Sequence, residues 1–183
     1  MFFSYKRHNA TADWTRRVHE LFRFWIMQED PDVRIFFDRD SIEVGNRWPD
    51  ELKNALRTSK CMVCVWSKPY FQSTWCVSEW QSFLAREKQL ALGSHCLIAP
   101  LRFHDGDDFP DEARVVQWED VEPFANTLPA FWDSQRAIGL EDVLKRFAKR
   151  VARIIQEAPP FQENWPLVEV PDLGPPRIRL ARL

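Results

Sequence analysis

The run CMVCVWSKPYFQSTWCVSEW, residues 61–80, decides the fold class, because it joins an uninterrupted apolar strand to an amphipathic helix. Residues 61–66 show no alternation of polar and apolar side chains, which is typical of a strand buried on both faces. Residues 75–89 carry apolar side chains at three- and four-residue steps, which predicts a helix. A buried strand followed by a helix is the repeating unit of a parallel sheet, so this run predicts an α/β fold.

The same alternation continues on both sides of this run. Apolar segments predict further strands at residues 2–5, 33–37, 96–101 and 115–118. Helices are predicted over residues 13–29 and 140–155, and a shorter one begins near Pro49. Five strands that alternate with helices predict one open parallel sheet with helices on both faces.

The helix and strand pattern ends at Ala158, and the remaining residues are rich in proline. Prolines hold a chain extended, and six of them follow Ala158: Pro159, Pro160, Pro166, Pro171, Pro175 and Pro176. We therefore expect one domain over residues 1–158. We expect residues 159–183 to form an extended linker or docking arm that adds nothing to the core.

The composition is that of a folded domain rather than a disordered or membrane-spanning chain. Of the 183 residues, 45% are hydrophobic and 14% are aromatic, which is ample material for a core. The formal net charge is −2 and charges of both signs are interspersed, so charge-driven binding to nucleic acid is not expected. No apolar run approaches the roughly 20 residues that a membrane helix needs.

The four cysteines do not form the pattern of a disulfide framework. Cys61 and Cys64 make a C-x-x-C, but it lies inside the apolar strand, and no second Cys or His pair stands at metal-ligand spacing. Reduced thiols packed in the core are favoured over metal binding or redox use. A reducing cytoplasm is the expected compartment.

Polar side chains follow three of the predicted strands, at the point where each strand ends. Residues 4–7 close the first strand, a charged loop from Asp38 follows the second, and residues 67–79 follow the third. Loops at the carboxyl ends of neighbouring parallel strands meet in one crevice, where open α/β sheets bind their ligands. The sequence therefore predicts a site at that edge of the sheet.

Glu79 is the candidate catalytic residue. On a helix it shares a face with Trp75 and Phe83, four residues to either side, and these rings would partly desolvate its carboxylate. A capping-box role fails on spacing, because Cys76 stands where a cap at Ser73 would need Glu or Gln. The alternative is an ordinary solvated glutamate on a helix surface.

Two further candidates also have a structural alternative. Lys6 and Arg7 follow the first strand, where they would bind a diphosphate or a carboxylate, or else remain solvated cations. Trp48 closes the charged loop and is either a platform for a ligand or a core residue.

The charged loop and the glycines exclude several kinds of site. The loop that opens at Asp38 and Arg39 resembles a calcium loop, but Glu43 and Pro49 stand where that loop needs Gly and Glu. No metal site is expected there. The sequence contains no G-x-G-x-x-G, G-x-x-x-x-G-K or G-x-S-x-G, which excludes a glycine cradle for phosphates and the common hydrolase elbow.

Three of these stretches together resemble the Toll/interleukin-1 receptor (TIR) domain, in its bacterial and plant branch. They are Phe2-Phe3-Ser4-Tyr5 with the basic residues after it, a loop opened by Phe37-Asp38 and closed by Gly45-Asn46-Arg47-Trp48, and the run S-x-x-Y-x-x-S-x-W-C-x-x-E that ends at Glu79. The likeness covers residues 1–157. It implies a flavodoxin-like open five-stranded parallel sheet.

The resemblance also implies an activity. Many bacterial, plant and axonal members of the family cleave NAD⁺ and release nicotinamide, with ADP-ribose or a cyclic isomer as the product. By this likeness Glu79 is catalytic, Trp48 and Trp75 supply apolar walls, and Lys6 and Arg7 contact the pyrophosphate. The remaining substrate-binding residues that it implies are Ser4, Tyr5, Asp38, Arg39 and Ser73. NAD⁺ would be the substrate, with no cofactor and no metal.

The resemblance further implies partners. The loop at residues 38–47 would gate the pocket and contact a neighbouring TIR domain, so that self-association activates a bacterial anti-phage effector with a fused or operon-encoded sensor. Two alternatives stay open. One is a non-catalytic TIR scaffold that acts through homotypic contacts. The other is a nucleoside hydrolase or deoxyribosyltransferase with a similar sheet, over which the W-C-x-x-E run favours TIR.

Overall fold

The computed structural model describes residues 1–7, 11–37, 48–91, 95–104 and 106–168, apart from the side chains of residues 48 and 49. The strands are β1 (Phe2–Tyr5), β2 (Phe36–Phe37), β3 (Met62–Trp66), β4 (Ile98–Arg102) and β5 (Glu119–Asp120). The helices are α1 (Ala12–Glu29), α2 (Trp48–Thr58), α3 (Lys68–Phe71), α4 (Thr74–Gln89), α5 (Asp111–Arg114) and α6 (Gln135–Glu157). Among the described residues, no helix combines the length and apolar character needed to cross a bilayer.

The five strands form one parallel sheet in the order β2-β1-β3-β4-β5. This is the flavodoxin-like order, so the predicted α/β fold with an open five-stranded parallel sheet is confirmed. The chain leaves β1 for β2 on one side and later returns to β3 on the other side. The carboxyl ends of β1 and β3 therefore flank the switch point of the sheet, where folds of this kind bind ligands.

Hydrophobic cores lie on both faces of the sheet, because successive residues of a strand point to opposite faces. Phe3 packs into the core formed with α1 and α6, and Phe2 packs into the core formed with α2 and α4. Ser4 shares the face of Phe2, so a hydroxyl lies next to the α2/α4 core at the carboxyl end of β1.

The predicted strand at residues 115–118 is wrong, because the fifth strand is Glu119–Asp120. α5 ends just before the predicted strand with Val115 as its C-cap, and the Val115 side chain is 86% exposed. Trp118 packs against the α2/α4 core without pairing to β4. The two residues that do pair, at the edge of the sheet, are acidic and give no apolar signal in the sequence.

Two other element boundaries differ from the prediction. Only Phe36 and Phe37 of the predicted strand at residues 33–37 pair with β1, at the other edge of the sheet. α6 begins at Gln135 rather than at residue 140, after two short 3-10 turns at Glu122–Phe124 and Pro129–Asp133. Edge strands and helix starts have few tertiary contacts to define them, so their ends are the hardest to predict.

The segment after α6 packs onto the domain. Trp165 is 3% exposed and its ring lies over the guanidinium of Arg86, 4.1 Å from the ring centroid to Cζ. The expectation that residues 159–183 add nothing to the core is therefore wrong for Trp165. Prolines favour an extended chain, but a turn at residues 163–164, closed by a hydrogen bond of 3.2 Å from Trp165 N–H to the carbonyl oxygen of Gln162, directly precedes the buried ring. The domain boundary at Ala158, one residue after α6 ends, stays a prediction.

Candidate active site

Glu79 lies in the second turn of α4, and its side chain is only 8% exposed. Ser73 is the N-cap of α4 and has an extended backbone. Glu79 follows about one and a half turns later, and its carboxylate contacts Ser4 of β1. Ser4 Oγ donates a hydrogen bond of 2.6 Å to Oε2 of Glu79. This length is typical of a hydroxyl bound to an ionised carboxylate. Glu79 is thus held against the sheet, unlike a solvated helix glutamate.

Tyr70 holds the other side of Ser4. Its hydroxyl oxygen lies 3.0 Å from Ser4 Oγ, and Ser4 and Tyr70 are 2% and 0% exposed. A serine hydroxyl has one proton, and that of Ser4 goes to Glu79, so the hydroxyl of Tyr70 donates to Ser4. Burial raises the pKa of Tyr70 well above its usual value, which keeps the phenol protonated as a donor. The three groups form a directed chain of hydrogen bonds that ends at the carboxylate.

The position of Tyr70 follows from the capping of α3. Ser67 lies in an extended conformation at the end of β3, and its Oγ accepts a hydrogen bond of 3.3 Å from the backbone N–H of Tyr70. Pro69 occupies the first turn, where its missing N–H is not needed. This single helical turn points the phenol back over the sheet toward Ser4.

A cleft of about 280 Å³ opens beside Glu79, between α2 and α4. Three elements line it with different chemistry. The lining residues are Trp75, Ser78 and Glu79 from α4, Leu52, Lys53, Leu56 and Arg57 from α2, and Leu167 and Val168 from the segment after α6. A carboxylate, two cations and an apolar wall therefore face one space.

Lys53 and Arg57 are the cations of this cleft. They lie one helical turn apart on α2, and both side chains are exposed apart from their contact with the cleft. Such a pair at one wall is suited to a diphosphate or another dianion, because both groups can approach neighbouring anionic oxygens.

Lys6 and Ser73, both predicted as substrate-binding residues, contact each other. Lys6 Nζ donates to Ser73 Oγ at 3.4 Å, and Ser73 is 7% exposed whereas Lys6 is exposed. This contact joins the end of β1 to the start of α4. Arg7 is exposed at the end of the same described stretch.

Tyr5 lies on the opposite face of β1 from Ser4. Its ring stacks on that of Phe37, with 5.0 Å between the centroids, and it lines a second cleft of about 330 Å³. Lys6, Phe103 and His104 also line that second cleft, at the carboxyl ends of β1 and β4. The single predicted crevice is thus two clefts on either side of β1. Trp75 and Glu79 line the one on the α4 side, and Ser4 contacts it through its hydrogen bond to Glu79.

Three of the predicted site residues lie outside the part that the structure describes. Asp38 and Arg39 belong to residues 38–47, and the side chain of Trp48 is not described, although its backbone begins α2. Their predicted contacts with substrate stay predictions.

The buried thiols belong to the core. Cys61, Cys64 and Cys76 are buried, and burial raises the pKa of Cys61 to about 11 and that of Cys64 well above its usual value. Thiols with such pKa values stay protonated and unreactive at neutral pH. Among the described residues, no group of three or more His, Cys, Asp or Glu side chains is placed to hold a metal ion.

Several residues of the site were not predicted as such from the sequence. Tyr70 is the tyrosine of the S-x-x-Y-x-x-S-x-W-C-x-x-E run, and no role was predicted for it. The sequence does indicate a cation pair at Lys53 and Arg57, because residues spaced four apart on a predicted helix share a face. No such pattern indicates Leu167 and Val168. Val168 N–H binds Ser82 Oγ at 2.9 Å across 86 positions of sequence, and no local pattern predicts such a contact.

Comparison with known proteins bears on the family of this chain. A family model described as TIR domain matches residues 1–130. Among solved structures, the "Structure of the activated Roq1 resistosome directly recognizing the pathogen effector XopQ (TIR domains)" matches at 18% identity. That match covers 85% of this chain and 94% of the other, with a TM-score of 0.41. No curated protein matches the chain.

Proposed function

This chain belongs to the TIR domain family, and we propose that it is an NAD⁺ glycohydrolase or cyclase that cleaves the bond between nicotinamide and ribose. The observation that carries the proposal is the buried carboxylate of Glu79, which Ser4 orients and which lines a cleft together with Trp75. A purely adhesive domain has no need for a desolvated carboxylate at the wall of a cleft, because burying one costs free energy.

The chemistry needs one carboxylate. Nicotinamide carries a positive charge in NAD⁺ and leaves C1′ of the ribose with the bonding electron pair, as a neutral molecule. No general acid is therefore required, unlike in the hydrolysis of ordinary glycosides. Positive charge develops on the ribose ring as the bond breaks, and the negative charge of Glu79 stabilises it. The carboxylate also accepts hydrogen bonds from ribose hydroxyls and so orients the sugar.

The second half of the reaction determines the product. When water adds to C1′ and releases a proton, the products are ADP-ribose, nicotinamide and one proton. When an atom of the adenine ring reaches C1′ first, a cyclic isomer of ADP-ribose forms instead. In this proposal NAD⁺ is the substrate, and neither a cofactor nor a metal takes part.

The remaining groups of the cleft bind the rest of the dinucleotide. We assign the diphosphate to Lys53 and Arg57, because they line the same space as Glu79. Lys6 and Arg7, the pair expected from the family likeness, are the alternative. Trp75 supplies an apolar wall, and Ser73, Asp38, Arg39 and Trp48 stay proposed substrate contacts. Tyr5, which the family likeness also implied, lines the other cleft and takes no part in this assignment.

The proposed biological role follows the bacterial branch of the family. Self-association with other TIR domains would activate the enzyme, and the loop at residues 38–47 would gate the pocket. The activity would serve anti-phage defence as part of a larger system that contains a fused or separately encoded sensor.

The test is release of nicotinamide from NAD⁺ by the concentrated chain, beside the variants Glu79→Gln and Glu87→Gln. Glu87 is the matched control, since it lies on the same helix and its carboxylate accepts a hydrogen bond of 2.5 Å from Leu97 N–H, outside the cleft. We expect Glu79→Gln to lose at least about 100-fold in rate and Glu87→Gln to remain active.

Other outcomes argue against the proposal. Equal activity of the wild type and Glu79→Gln removes Glu79 from the mechanism. If a wild-type chain that self-associates, as seen by sedimentation, cleaves no NAD⁺, the non-catalytic scaffold becomes the better account.

A further inference from the structure

The segment after α6 is fixed to the domain by Trp165. The ring of Trp165 covers one face of the Arg86 guanidinium at 4.1 Å, and the ring of Phe83 lies 4.3 Å from the same group. Arg86 is itself fully buried and donates to the carbonyl oxygens of Ser59 at 2.6 Å and Leu56 at 3.0 Å. Trp165 thus packs on a cation that already ties α4 to the end of α2.

Three residues further on, the segment reaches the cleft of Glu79. Val168 N–H donates to Ser82 Oγ at 2.9 Å, and Ser82 Oγ in turn donates to the carbonyl of Ser78, one of the residues that line the cleft. Between the two anchors lies Leu167, which is partly buried against the α2/α4 core and lines the cleft. The backbone on both sides of Leu167 is therefore held in place.

We propose that residues 165–168 form the third wall of the substrate site, and that Leu167 is a specificity-determining residue. The ligand class is a nucleotide with one apolar face, which packs on Leu167 while its phosphates meet Lys53 and Arg57. This inference rests on the proposed function for its substrate. It extends the site to a part of the chain outside the residues 1–130 that match the family.

The segment is a wall and not a plug, because the cleft stays open with the segment in place. Its volume of about 280 Å³ lies just below the range of about 300–1,000 Å³ for ligand sites, so the cleft is suited to part of a dinucleotide rather than to the whole molecule. Without Leu167 the carboxylate would face a shallow groove between two helices. A bound nucleotide would then lose its apolar contact on that side, which weakens its binding.

The experiment compares Leu167→Ala with Glu163→Ala, a control in the same segment at an exposed position outside the cleft lining. In NAD⁺ cleavage we expect Leu167→Ala to raise KM about tenfold with kcat within about twofold, and Glu163→Ala to match the wild type. Binding of ADP-ribose, measured by calorimetry, is expected to weaken about tenfold in Leu167→Ala alone. Leu167→Met keeps the volume and is expected to recover the affinity for ADP-ribose that Leu167→Ala loses.

A measurement on the wild-type chain tests the same inference without relying on a variant that could misfold. Saturating ADP-ribose is expected to slow hydrogen exchange of the Val168 amide, because the ligand would hold the segment on α4. If the wild type binds ADP-ribose in this way yet cleaves no NAD⁺, residues 165–168 do form a wall of a nucleotide site, but the proposed NAD⁺-cleaving activity is wrong.

Three results overturn the inference. The first is higher turnover in Leu167→Ala, which would make the segment an obstruction. The second is an unchanged KM and ADP-ribose affinity in Leu167→Ala. The third is a wild-type chain that binds no ADP-ribose, or that binds it without any change in the exchange of the Val168 amide.

Discussion

Ser4 and Glu79 are 75 positions apart in the sequence, yet the hydroxyl of Ser4 lies 2.6 Å from the carboxylate of Glu79. The contact joins the end of β1 to the second turn of α4, and α4 carries the most specific motif of the chain. Because Tyr70 holds Ser4 from the other side, two buried hydroxyls set where the carboxylate lies relative to the sheet.

Removing the Ser4 hydroxyl is predicted to impair catalysis more than binding. Ser4→Ala leaves a buried carboxylate and a buried phenol without this shared partner, and a hydrogen bond to a charged group contributes about 1.5–3 kcal/mol. We expect kcat for NAD⁺ cleavage to fall about 10- to 100-fold with little change in KM. Tyr70→Phe, which removes a neutral donor one step further away, is expected to lower kcat by less. A larger loss in Tyr70→Phe than in Ser4→Ala would refute this order.

Tyr70 is predicted to make the folded state sensitive to alkaline pH. Burial raises its pKa well above the usual value of about 10, so the folded state keeps a proton that the unfolded chain releases. The stabilisation is full below about pH 10 and is lost as the pH rises above it. Unfolding by urea at pH 8 and pH 11 is expected to show a larger loss of stability in the wild type than in Tyr70→Phe.

The same prediction has a spectroscopic form, since the chain contains two tyrosines. At most one of them is expected to give a phenolate absorbance while the protein is folded, with the other appearing together with unfolding. Titration of both in the folded chain would contradict the burial of Tyr70.

Trp165→Ala is predicted to destabilise the domain by about 3–5 kcal/mol, the usual cost of truncating a buried tryptophan. The ring covers the buried guanidinium of Arg86, and burial lowers the pKa of Arg86 to about 10, so the group stays charged at neutral pH. Urea unfolding measures the change. Phe161→Ala, at a ring that is 47% exposed in the same segment, should cost far less. Equal and small costs would show that residues 159–168 do not belong to the domain.

The general fold was readable from the sequence because the apolar strands, above all Met62–Trp66, are continuous and the helices are periodic. Glu79 could be predicted as a candidate site residue because the specific W-C-x-x-E run ends at it. What local pattern did not reveal depends on contacts between distant segments. Trp165 on Arg86 and Val168 on Ser82 each join the segment after α6 to α4. The short acidic strand β5 likewise exists only because β4 offers it an edge.

The choice between two pairs of cations is also testable. Replacing Lys53 and Arg57 by Met is predicted to raise KM for NAD⁺ at least about tenfold, because two charge-assisted contacts with the diphosphate are lost. The same change should leave KM for nicotinamide riboside, which has no diphosphate, nearly unaffected. Replacement of Lys6 and Arg7 by Met serves as the comparison. If only the second replacement raises KM for NAD⁺, the diphosphate binds at the carboxyl end of β1 instead.

The most direct measurement of the central claim is a crystal structure of the Glu79→Gln variant with NAD⁺ bound. We predict that the ribose attached to nicotinamide lies in the cleft between α2 and α4, with a ribose hydroxyl about 3 Å from the side chain of residue 79. A dinucleotide found instead in the cleft lined by Tyr5 and Phe103, with its ribose far from residue 79, would contradict the account.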